Sequence, residues 1–103
     1  MGAANSSVEN DFFTWLSTRV SPVQLSNLYS VYTDINNYCI HRKILRQHLF
    51  ETIDEVAVLS IKKIIDYDRE FSFIYRKQRN LMSQAINYYL QYIRERHLMQ
   101  EKN

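Results

Sequence analysis

Beyond Pro22 this 103-residue chain contains neither glycine nor proline; Gly2 is its one glycine and Pro22 its one proline. A β-rich fold of this length needs several tight reversals. Those reversals draw on glycine, Asn-Gly or Asp-Gly to supply backbone with positive φ. Neither pair occurs in the chain. The sequence therefore predicts an all-α fold.

The stretch from Leu81 to Ile93 predicts how the helices are arranged. At helical period Leu81, Ala85, Tyr88, Tyr89, Tyr92 and Ile93 share one face, and Met82, Ile86, Leu90 and Ile93 share a neighbouring one. A helix that is apolar over most of its circumference has to be enclosed on several sides. The expectation is a compact bundle of four to five helices with this helix last and central. The length suits one domain with a modest core. Its expected limits are 8–97, between a disordered lead-in over 1–7 and a frayed tail over 98–103.

Ahead of that helix the boundaries follow from capping. The first helix is expected near Ser7, with Val8, Phe12, Trp15, Leu16 and Val20 inward and Glu9 and Asp11 at the positive end of its dipole. Ser21-Pro22-Val23-Gln24 combines a capping serine, a proline preset for the first helical position and an S-x-x-Q box. The helix it opens should bury Leu25, Leu28, Tyr29, Tyr32, Ile35 and Cys39, and end near Tyr38 or Ile40. A connection then buries Ile44, Leu45, Leu49 and Phe50. Thr52-Ile53-Asp54-Glu55 reads as a second capping box, T-x-x-E, opening a helix that uses Ile53, Val56, Leu59, Ile64 and Ile65. After Asp66-Tyr67-Asp68, the residues Phe71, Phe73 and Ile74 are expected beneath the bundle. The last helix begins within or just after Arg76–Asn80.

The formal charge of +2 conceals segregation. Arg42, Lys43 and Arg46 stand in a segment, 40–50, with no acid. Arg76, Lys77, Arg79 and Arg94 stand between Glu70 and Glu95, again with no acid. Residues 1–39 and 51–70 are net acidic. Basic segments at connections, beside aromatic side chains, suit phosphate contacts. Arg42, Lys43, Arg46, Arg76, Lys77 and Arg79 are the expected backbone contacts, with Gln78 and Asn80 as polar readers. Phe73 and Tyr75 add stacking or hydrogen-bonding groups, and the first amides of the last helix would face the same anion. Most of the tyrosines recur at helical spacing and belong to the core; Tyr67 and Tyr75 fall off it and are expected at the surface.

Catalytic patterns are poor. His41, His48 and His97 lack H-x-x-x-H spacing, one cysteine cannot build a structural zinc site, and a glycine-rich phosphate loop is impossible. No enzyme activity, metal or cofactor is expected. Cys39 reads as a buried, inert thiol in a reducing, cytoplasmic setting. No apolar run approaches the ~18 residues that span a bilayer. The opening Met1-Gly2-Ala3-Ala4-Asn5-Ser6 fits the M-G-x-x-x-[ST] acylation pattern, which would make Gly2 a lipid site on a peripheral membrane adaptor.

Phe12-x-x-Trp15-Leu16, then Ser21-Pro22 opening a helix with steps at Leu28, Tyr32 and Ile35, is similar to the amino-terminal SAM-like (core-binding) domain of tyrosine recombinases and phage integrases. Ser83-x-Ala85-Ile86-x-x-Tyr89-Leu90-x-Tyr92-Ile93 resembles that domain's last helix. Leu49-Phe50-Glu51, Asp54-Glu55 and Phe71 resemble steps in related modules attached to bacterial nucleases. The resemblance spans roughly residues 10–96 and rests mostly on hydrophobic spacing. It implies a SAM-like bundle that binds duplex DNA, within or beside a DNA-processing protein. The family's catalytic Arg, His-x-x-Arg and Tyr are not matched, so it implies binding without strand cleavage. A protein-interaction bundle, homodimeric for example, is the alternative that the exposed aromatics would serve.

Overall fold

The computed structural model describes residues 7–101. Its helices are α1 (Ser7–Ser17), α2 (Pro22–His41), α3 (Glu55–Tyr67), α4 (Arg69–Ile74) and α5 (Arg79–Glu101), with a 3₁₀ turn at Leu49–Glu51 between α2 and α3. No strand occurs among the described residues, and the chain is an all-α bundle. Gly2 and its acylation pattern lie outside the described residues. α5 runs past His97, where fraying was expected, to Glu101.

Ser21 caps α2 as its sequence implies: the hydroxyl accepts from the Gln24 amide at 3.2 Å, with Pro22 in the first turn. The second box is corrected. Thr52 is buried and follows the 3₁₀ turn, while Asp54 caps α3 by accepting from the Val56 amide at 3.1 Å. Asp54 lies immediately before the helix, within reach of its free amides, and its carboxylate is the stronger acceptor.

α5 packs against α3, α2 and α1. Met82, Ala85, Ile86, Tyr89, Leu90, Tyr92 and Ile93 are all buried. Two tyrosine hydroxyls fasten it where polar groups would otherwise be stranded. Tyr32 donates to the Ala85 carbonyl at 2.6 Å. The Tyr89 hydroxyl lies 2.8 Å from the Thr52 carbonyl and 3.2 Å from that of Leu49, tying α5 to the connection. Burial raises both phenols above their ordinary range. Phe12 of α1 enters the same core, edge-on to Tyr32 at 5.3 Å and to Tyr89 at 5.0 Å between ring centroids. Cys39 is buried, and burial pushes its thiol up to about 12.

Several inward assignments are corrected. Tyr29 is exposed on α2, Ile44 is only partly covered, and Trp15 and Ile64 are half-buried. α3 is rotated from its expected phase: Val58, Ile61 and Ile65 are buried, whereas Ile53 and Val56 face outward. Its apolar arc is wide enough to permit either phase, and packing against α5 selects the one centred on Ile61. Phe71 is buried, but Phe73 and Ile74 are exposed. α4 is one short helix with room for a single inward residue per turn.

Leu28 is fully buried in the α2 core. Leu28→Ala is expected to lower unfolding free energy by about 2–5 kcal/mol through the cavity it leaves. Urea denaturation measures this; a loss below about 0.5 kcal/mol, the size of a surface change, would contradict its placement.

Candidate nucleic-acid interface

Asp68 ends one helix and begins the next. Its amide donates to the Ile64 carbonyl at 2.9 Å, closing α3, and its carboxylate accepts from the Phe71 amide at 2.8 Å, opening α4. With no linker between them, α4 is set directly beside the end of α3. Phe71 is its inward anchor, edge-on to Tyr38 of α2 at 5.0 Å and 4.8 Å from Tyr75. Tyr75 is thus half-buried in an aromatic stack, contrary to its expected surface place. Arg69 and Phe73, four residues apart, share the outward face.

Phe73 is 81% exposed and Tyr67 80%. Tyr67, Arg69, Phe73, Arg76, Arg79 and Asn80 line an open groove of about 590 Å³, with Asp66 and Ser72 at its wall. A second groove of about 340 Å³ is lined by Phe73 through Gln78. Phe73 and Arg76 border both and form the ridge between them.

Three acids of this region are engaged internally. Asp66 accepts from Lys62 at 2.8 Å and Ser83 at 3.1 Å. Burial pushes its carboxyl up, but those two hydrogen bonds and the charges of Lys62 and Arg79 outweigh it and hold it below the ordinary value. Asp68 is a cap. Glu70 pairs with Arg42. Arg69, Arg76 and Lys77 have no carboxylate partner among the described residues, and their charge is left to the solvent side.

The six expected cations therefore divide. Arg42 is engaged by Glu70 and lies over the Tyr38 ring, 5.6 Å from its centroid. Arg79 turns back onto α3: Nε donates to the Ile65 carbonyl at 3.2 Å and Nη2 to that of Asp66. It satisfies carbonyls that a helix end leaves open. Arg76 and Lys77 are free, Gln78 and Asn80 are exposed beside them, and Arg79 borders the same groove as Arg76 while its guanidinium is held by the α3 carbonyls. Lys43 and Arg46 lie outside the groove, at the end of α2. Arg69 was hidden in the sequence by the acids around it; its spacing from Phe73 was the available signal.

Lys43 has a backbone role. Its φ of 60° is left-handed. Its amide bonds the Ile40 carbonyl and that of Ile44 bonds Cys39, at 3.0 and 2.8 Å, the paired reversal that usually employs glycine.

No group of three metal-ligating side chains occurs among the described residues, and no described helix is long and apolar enough to cross a membrane. Compared with known proteins, the chain matches no family model, no curated protein and no solved structure.

Two substitutions separate structural from free charge here. Arg79→Ala should cost about 1–2 kcal/mol by releasing the α3 carbonyls, whereas Arg76→Ala should stay within about 0.5 kcal/mol; equal losses in thermal denaturation would contradict the division. Lys43→Gly should gain about 1 kcal/mol by removing the Cβ clash of the left-handed residue, read as a higher Tm.

Proposed function

We propose that the chain is a non-catalytic, SAM-like DNA-binding module, part of or accessory to a DNA-processing protein. One observation carries this reading. Around α4, Asp66, Asp68 and Glu70 are each engaged in a cap, a hydrogen bond or an ion pair, while Arg69, Arg76 and Lys77 have no carboxylate partner among the described residues and stand beside open grooves. A surface of that kind attracts a polyanion, and each phosphate it neutralises releases condensed counterion. Gln78 and Asn80 add neutral donors and acceptors at the groove edges. The resemblance of Phe12, Trp15, Ser21-Pro22 and the Ser83–Ile93 helix to core-binding domains supports DNA as the polyanion. Lys43 and Arg46 form a second basic point at the end of α2. A DNA partner and a buried thiol suit a cytoplasmic protein.

The exposed Tyr67, Phe73 and Ile74 favour a second reading, a protein-interaction surface. Concentration-dependent self-association in sedimentation, without DNA binding, would move that reading to first place.

The direct test is a salt series with labelled DNA. Arg76→Ala combined with Lys77→Ala should weaken binding to every sequence and lower the slope of log K against log salt by up to about two units, near 0.9 per duplex phosphate. Wild-type protein that binds no DNA at low salt would overturn the reading. An unchanged slope in the double variant would move the contact to Lys43 and Arg46.

A further inference from the structure

We infer that the groove beside α4 takes single-stranded DNA, with unpaired bases stacked on Phe73 and Tyr67. The inference rests on the DNA-binding reading above and deepens it. Phosphate contacts alone require cations, which a duplex would satisfy equally well. The two aromatic rings require a different explanation. Phe73 is 81% exposed and Tyr67 80%, although Phe71 between them is buried. Both rings line one groove, and Arg69, Arg76 and Asn80 line it with them. In a duplex the base faces are already stacked on one another, and only groove edges and phosphates are presented. An unpaired base offers its open face, and aromatic stacking accepts any base because each has a π-surface. Exposed rings and arginines lining one open groove suit a strand whose backbone meets the arginines while its bases turn onto the rings.

Charge complementarity decides the occupant. A protein partner would fit Phe73 and Ile74, but it would have to bring carboxylates to meet Arg69, Arg76 and Lys77, which lack acids of their own. A nucleic-acid strand brings that charge at every residue. Phe73 and Arg76 border both grooves, so a strand crossing the ridge meets a ring and a cation together.

The test is fluorescence anisotropy with labelled oligothymidine, oligouridine and a duplex of equal length, at one low salt concentration. Wild-type protein should bind oligothymidine most tightly. Phe73→Leu and Tyr67→Leu, which keep apolar bulk and remove the ring, should each weaken oligothymidine binding about ten-fold or more, the size of one lost base stack. Duplex affinity should stay unchanged in both variants, and circular dichroism should match wild type because both positions face solvent. Duplex binding as tight as single-strand binding, or Leu variants without effect on oligothymidine, would overturn this inference and leave the DNA reading intact. Tighter binding of oligouridine would overturn the assignment to DNA. Absence of binding to all three probes would overturn the DNA reading itself.

Discussion

A helix that is apolar over most of its circumference has to be enclosed, and enclosing α5 organises this molecule. α1, α2 and α3 each bring one apolar face to it, and each takes a position the others leave free. Aromatic residues supply much of the filling, and their hydroxyls are where the packing becomes specific. The Tyr32 hydroxyl ends on the Ala85 carbonyl, and that of Tyr89 on the carbonyls of the α2–α3 connection. A buried phenol without such a partner would be costly, so these bonds fix the register of α5 against its neighbours.

The same economy governs the charges. Three carboxylates in the second half of the chain act as joints: Asp68 joins α3 to α4, Asp66 holds Lys62 within α3 and Ser83 of α5, and Glu70 of α4 pairs with Arg42 at the end of α2. Using the acids as joints occupies their charge and leaves a positive remainder around α4. The remainder is a by-product of how the bundle is assembled. It lies beside the exposed ring of Phe73.

Element identity was legible because it depends on local signals. The absence of glycine and proline, the Ser21-Pro22 start and the broad apolar arc of the last helix each act within a few residues. Helix phase was less legible. α3 has large apolar residues at 56, 58, 59, 61, 64 and 65, preceded by Ile53, and packing against α5 accompanies the inward turn of Val58, Ile61 and Ile65. The site was legible in part. Arg76, Lys77, Gln78 and Asn80 are exposed, but nothing in their spacing distinguishes them from Arg79, whose guanidinium is spent on carbonyls thirteen and fourteen residues away in sequence. Tyr67 was recognisable as lying off the apolar period, whereas Phe73 looked like core until α4 proved too short to bury it.

Trp15 gives the molecule an optical consequence. It is the one tryptophan in the chain. Its indole lies 5.9 Å from the Phe12 ring and 5.6 Å from that of Tyr92, under the Arg19 guanidinium, and donates to Glu95 of α5 at 3.1 Å. α1 has only eleven residues, too few for a stable helix in isolation. The emission of one fluorophore therefore reports whether this short amino-terminal helix is seated, separately from the far-ultraviolet signal of the rest of the bundle.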